Sequence, residues 1–204
     1  MTIKSELVRD LLAIKAVQIN PEAYFTWTSG IKSPIYCDNR LTMSYPKVRV
    51  KIVEAFVEMM EELNVKPDVI AGCATAGIPH AAWLSARLGL PMVYVRSKPK
   101  GHGKGNQIEG ELHDGQNVLV IEDLISTGGS SIESAKAIRA AGANVISVFA
   151  IFTYGLKKSV MNFENTDIPF RTITNFDALL EALIEDGKLD SSKKAELLEW
   201  RERL

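Results

Sequence analysis

Ile3, Leu7, Leu11 and Ile14 recur at helical spacing until Asn20-Pro21 stops the pattern, which predicts an amphipathic helix over residues 3–17. From Tyr24 to Leu41 the period is lost. There Ser29-Gly30 and Ser33-Pro34 bracket short extended pieces such as Ile35-Tyr36-Cys37, the pattern of a loop or β-hairpin. Ser44 followed by Pro46 reads as a helix start, and Ile52, Phe56, Met59, Met60 and Leu63 line one face as far as Pro67. Beyond Pro67 short apolar runs alternate with helical patterns. Strands are expected over 68–71, 92–95, 117–121 and 144–152, helices over 78–88 and 130–141, and two terminal helices over 176–185 and 191–203, the first ended by Gly187. Such alternation predicts βαβ units in an α/β fold, a central mostly parallel sheet flanked by helices. Val118-Leu119-Val120-Ile121 has no polar alternation, as a strand covered on both faces requires. Residues 1–204 are expected to form a single domain with its core at 68–153, and residues 1–41 form a small appendage able to cap one end of the sheet.

Composition narrows the function. Lys and Arg number 24 against 25 Asp and Glu, a net charge of -1, so no excess of positive charge is available for coating a nucleic acid. No apolar run approaches the roughly 20 residues that cross a bilayer, and the N-terminus mixes charges into its apolar positions. A soluble, cytoplasmic protein with neither a membrane nor a nucleic-acid partner is expected. Cys37 and Cys73 stand apart without CxxC spacing, so neither a disulfide framework nor a zinc site is predicted. His80 and His113 lack partners at ligand spacing, and Trp27, Trp83 and Trp200 are too scattered to read as a base-stacking platform.

The most informative stretch runs from Val118 to Ser131: an apolar strand, the adjacent acids Glu122 and Asp123, then Leu124-Ile125-Ser126-Thr127-Gly128-Gly129-Ser130 leading into a helix. In an open α/β sheet that junction is where ligands bind. Thr127, Gly128, Gly129 and Ser130 let backbone N–H groups converge on a phosphate, and the helix dipole adds about 0.3 to 1 kcal/mol for an anion there. Two carboxylates directly before a phosphate loop need partners other than the phosphate, and ribose hydroxyls or a magnesium ion supply them. The implied ligand is a sugar phosphate. No Walker lysine, GxGxxG or GxSxG accompanies these residues, which disfavours triphosphate hydrolysis, dinucleotide binding and the hydrolase elbow.

A second stretch, Arg96-Ser97-Lys98-Pro99-Lys100-Gly101-His102-Gly103-Lys104-Gly105, gathers basic side chains and glycines with no acid until Glu109. In a neutral chain this reads as a lid that orders over a polyanionic group. A third, Ala71 to Pro79, again places a small-residue loop between a strand and a helix and offers N–H groups to a second phosphate.

Together VLVIEDLISTGGS and the basic glycine loop resemble type I phosphoribosyltransferases, and RSKPKGHGKG with FTWTSGIKSPIYCD, similar to that family's hood, narrows the resemblance to the orotate-using members. The resemblance implies transfer of 5-phosphoribosyl from its 1-diphosphate to orotate, with release of pyrophosphate. It also implies Mg2+ as cofactor, held mainly by substrate near Asp123 with no direct protein ligand. Residues 122–130 would hold the phosphoribosyl diphosphate, with Glu122 and Asp123 on the ribose and Thr127 to Ser130 on the 5'-phosphate. Arg96, Lys100 and His102 would gather the pyrophosphate, and Lys100, His102, Glu122 and Asp123 would form the catalytic set. The family works as homodimers in which the loop, here 97–108, reaches the neighbouring subunit's site.

This chain departs from the family pattern in three places. Thr28 stands where many relatives have a hood lysine, Thr75-Ala76 where they have an aromatic-lysine pair, and Glu122 where paired aspartates are usual. The acceptor's carboxylate still needs a partner, because burying it unpaired is costly. Lys32 and Arg40 are the nearest cations by sequence, and Ser126 with the backbone near Tyr36 and Cys37 completes the expected orotate site. A phosphoribosyltransferase for another base and a non-catalytic sensor of the diphosphate are the competing readings.

Overall fold

A computed structural model gives the architecture and describes residues 3–27, 30–98 and 107–204. Helix α1 (Ile3–Ala13) buries Leu7, Val8 and Leu11. It ends earlier than its apolar spacing predicts, because Lys15 turns at φ +60° and Val17 begins a strand. That strand, β1 (Val17–Ile19), pairs antiparallel with β4 (Ile35–Cys37), while β2 (Phe25–Thr26) and β3 (Lys32–Ser33) form a second two-residue ribbon. A 3-10 helix over Asn39–Ser44 follows, its first turn capped by the Asp38 side chain, and α2 (Pro46–Glu62) then starts with Pro46 in its first turn.

Six strands make the central sheet: β5 (Val69–Cys73), β6 (Met92–Val95), β7 (Ile108–Glu109), β8 (Asn117–Ile125), β9 (Asn144–Thr153) and β10 (Phe170–Asn175). Their order is β10-β9-β8-β5-β6-β7, parallel throughout except for β7. The helices between and after them are α3 (Gly77–Leu88), α4 (Gly129–Ala140), α5 (Lys157–Glu164), α6 (Phe176–Glu185) and α7 (Ser191–Glu202).

The apolar run in β8 serves both faces of the sheet. Leu119 and Ile121 pack into the layer that holds Phe56 of α2, Leu84 of α3 and Leu180 of α6, while Val118 and Val120 join Ile132, Ala135 and Ile138 of α4. Unbroken hydrophobicity is thus what the position demands. The strand also runs four residues past its predicted end. Pairing with β9 continues through Glu122↔Ala150 and Ile125↔Thr153, so both acids belong to the strand rather than to the loop after it. β7, α5 and β10 go unpredicted; β10 is an edge strand with a partly exposed, mixed sequence, and α5 is only eight residues long.

From β5 the chain winds to one side through β6, and from β8 it winds to the other through β9 and β10. The adjacent carboxyl ends of β5 and β8 are therefore the topological switch point, where an open sheet leaves a crevice for a ligand.

Candidate active site

Two small-residue loops leave the sheet at that crevice. After β8, Gly128 adopts φ +82° and opens α4, and a Cβ there would run into the Phe163 ring, so no other residue fits both constraints. The loop is held from its carbonyl side: Asn162 Nδ2 donates to Thr127 O at 2.9 Å and Ser131 Oγ to Gly128 O at 3.1 Å. No side chain caps α4, so its first N–H groups remain for an anion. After β5, residues 74–76 form the second loop, which contains a cis Ala74–Thr75 peptide, and Gly77 packs so close to β8 that a Cβ would collide with the Ile121 carbonyl oxygen.

The two acids play different parts. Glu122 is only 5% exposed, and both its oxygens are engaged: Oε1 accepts the Asp123 N–H at 3.0 Å and Oε2 the Ser130 hydroxyl at 3.0 Å. It braces the start of α4 through Ser130. Asp123 keeps partial exposure, and Asn39 Nδ2 donates to its carbonyl at 2.7 Å, tying the 3-10 helix to the acid pair. Burial, reinforced by the neighbouring Asp123 charge, pushes the Glu122 carboxyl well above the usual carboxylate range, and burial raises Asp123 as well. A raised carboxyl pKa stabilises the fold fully below the unfolded-state value near 4.5 and loses that contribution as pH rises through the folded-state value. Glu122→Gln has no such loss. Its thermal stability relative to the parent is therefore expected to improve as pH is raised from 4.5 to the raised folded-state value and to level off above it, read as Tm against pH; a constant difference would remove the buried proton from the account.

Beside the loop after β8 lies a cavity of about 600 Å³, lined among others by Trp27, Tyr36, Cys37, Ser126, Tyr154 and Lys158. Trp27 stacks on Tyr154 with ring centres 4.7 Å apart and donates through Nε1 to Ile35 O at 3.0 Å. Trp200 of α7 meets Trp27 edge-on at 6.1 Å and donates to Lys32 O at 3.2 Å, pinning the hood ribbon. Two of the three scattered tryptophans thus meet, and Trp27 of the two lines the cavity. Ser126 and Thr127 belong to this cavity and to the loop between β8 and α4 at once.

Of the expected acceptor residues, Tyr36, Cys37 and Ser126 line the cavity, as does Leu124. Lys32 and Arg40 do not. Lys32 Nζ donates to Thr26 Oγ1 at 2.8 Å on an exposed surface, and Arg40 grips Asp38 with two bonds of 2.6 and 2.9 Å. Arg96 follows β6, where its N–H donates to Gln107 O at 2.8 Å and its guanidinium lies 3.4 Å from Glu109 Oε1. These contacts tie Arg96 to Gln107 and Glu109, on either side of residues 99–106 in the chain. Lys100 and His102, with Thr28 of the hood, lie outside the described residues. His80 is buried against Trp83, and burial lowers its pKa to about 4, a structural residue. Sequence reasoning missed Trp27, Tyr154, Lys158 and Asn39. For the middle two a signal was present, since residues 154–158 follow the carboxyl end of β9 on the ligand-bearing edge of the sheet.

Residues 45–167 match the phosphoribosyl transferase domain. The chain is 65% identical over 202 residues to the orotate phosphoribosyltransferase of Oceanobacillus iheyensis, covering 99% of this chain and 100% of that protein. Its fold is similar to the crystal structure of orotate phosphoribosyltransferase from Aeropyrum pernix, with a TM-score of 0.78 and 27% identity over 88% of this chain and 98% of that one. It is also similar to Leishmania donovani UMP synthase, with a TM-score of 0.80, 26% identity and coverage of 98% of this chain but 42% of that longer one. With a strand-acid-loop-helix junction at the switch point and this likeness along nearly the whole chain, the protein has the type I phosphoribosyltransferase fold and belongs to the orotate phosphoribosyltransferase family.

Proposed function

We infer that this site transfers the 5-phosphoribosyl group of 5-phospho-α-D-ribose 1-diphosphate to orotate, forming orotidine 5'-monophosphate and pyrophosphate in pyrimidine biosynthesis. One observation carries the reading: the phosphate loop and the aromatic cavity share Ser126 and Thr127, so an anchored sugar phosphate and a planar acceptor meet at a common edge. The loop N–H groups of 127–130 hold the 5'-phosphate, and Asp123 accepts from the ribose hydroxyls. The bond from C1 to the diphosphate breaks with the electron pair leaving on pyrophosphate, and N1 of deprotonated orotate forms the new bond to C1. Positive charge grows on the ribose as this happens, and the Asp123 carboxylate beside it is the preorganised counterpart. Glu122 acts by holding Ser130 and the loop in place.

The donor set suits a Mg2+ ion carried in on the diphosphate. Both Glu122 oxygens are engaged, Asp123 alone of the pair has partial exposure, and among the described residues no three acidic, histidine or cysteine side chains come together. When bound, such an ion neutralises the diphosphate and eases its departure. Arg96, Lys100 and His102 complete the pyrophosphate contacts in this reading, with segment 97–108 serving the neighbouring subunit of a homodimer in the cytoplasm. Among the described residues no helix is long and apolar enough to cross a membrane.

The test is pyrophosphate release with orotate, uracil, adenine or hypoxanthine as acceptor. Orotate is expected to exceed uracil by roughly 10²-fold or more in kcat/KM, because a site built around a charged group rejects the analogue that lacks it. Preference for another base would make this a different phosphoribosyltransferase, and release with none would make it a sensor of the diphosphate.

A further inference from the structure

The acceptor cavity needs a cation, and the described cations around it can be sorted by their partners. Lys32 is turned to Thr26, Arg40 to Asp38, and Arg201 to Asp177 and Glu202. Lys157, at the start of α5, is paired with Glu202 at 2.6 Å. Its neighbour Lys158 lines the cavity, is exposed, and has no ion-pair or hydrogen-bond partner among the described residues. The backbone sets this arrangement. After β9 the chain turns at Tyr154 and Gly155 (φ +69°), Leu156 caps α5 without a side-chain hydrogen bond, and Lys158 falls in the first helical turn beside Tyr154 and Ser126. An anion there would meet both the ammonium group and the positive end of the helix.

We propose that Lys158 is the specificity-determining cation of the acceptor site, pairing with the ring carboxylate that distinguishes orotate from uracil. The assignment rests on the orotate reading above. The aromatic wall of Trp27 and Tyr154 supplies an apolar, planar surface for the ring, Ser126 a hydroxyl, and Lys158 the charge. A single lysine on a helix end also explains how the chain can do without a hood lysine at position 28.

The experiment compares parent, Lys158→Ala, Lys158→Arg and Lys157→Ala in the full-length enzyme. Readouts are equilibrium binding of orotate and of uracil, followed by tryptophan fluorescence, and kcat/KM with each acceptor. Lys158→Ala should lower the orotate-to-uracil ratio by roughly 10- to 100-fold, the range for a charge-assisted bond. The loss should lie in orotate KM rather than kcat. Lys158→Arg should recover most of the ratio, and Lys157→Ala, whose partner is Glu202, should leave it at the parental value. An active parent whose ratio survives Lys158→Ala overturns the assignment alone. A parent that binds orotate but releases no pyrophosphate overturns the transferase reading, and the binding ratio then judges Lys158. A parent that does not bind orotate overturns both.

Discussion

Asp123→Asn is expected to reduce turnover by about 10²- to 10³-fold with little change in the KM for the diphosphate, the loss typical of one preorganised electrostatic contact. The substitution keeps the shape of the side chain, and it leaves untouched the Asp123 carbonyl that receives the Asn39 amide and the Asp123 N–H that binds Glu122. In the proposed mechanism, what disappears is negative charge beside a ribose that becomes cationic in the transition state. Because burial already disfavours the charged Asp123, the variant should fold at least as stably as the parent. Steady-state rates with saturating substrates, set beside a thermal melt, check both halves. Turnover within threefold of the parent would mean that Asp123 meets the substrate only in its ground state, or not at all.

Gly77→Ala should cost about 3 kcal/mol or more of stability, at the upper end of overpacking substitutions. The added methyl meets the carbonyl of Ile121 and the backbone of Glu122, neither of which can rotate aside as a flexible side chain would. Ile121 is fully buried and paired with Gly72 across the β5–β8 ladder, so relief requires separating two central strands at the crevice itself. Activity should therefore fall even at temperatures where the variant remains folded. A denaturant titration and an assay at 10 °C separate the two effects. A loss below 1 kcal/mol would show that the α3 end of the loop moves freely.

How much of this was legible in the sequence depended on whether the signal was local. The β8 run, the acid pair and the glycine loop lie within fourteen consecutive residues, and each has a physical reason visible in one dimension: two-sided burial, hydroxyl partners, convergent N–H groups. The acceptor cavity has no such signature. Its wall joins Trp27 and Tyr154, with Trp200 packed edge-on against Trp27, and these meet only because β9 and α7 are folded back on the hood. Lys32 and Arg40 looked suitable because they lie near Tyr36 in sequence, but the partners Thr26 and Asp38 decide where their charges point. Likewise, the strand hidden in Phe170–Asn175 shows no apolar run because it sits at the sheet edge, half in water. The difference between Glu122 and Asp123 was equally hidden, since only the fold determines which of two adjacent acids is turned under the loop.

The bond from Trp200 to Lys32 spans 168 residues of chain, and it has a consequence for the protein while it is being made. Synthesis proceeds from the N-terminus, so β5, β8 and the loop after β8 can assemble before α7 leaves the ribosome. The hood ribbon, which precedes the sheet in the chain, must wait for α7, which follows the sheet, to acquire its support. The loop after β8 can thus take shape in a nascent chain before the cavity beside it is supported, because Trp27 gains its Trp200 contact only once α7 has been made.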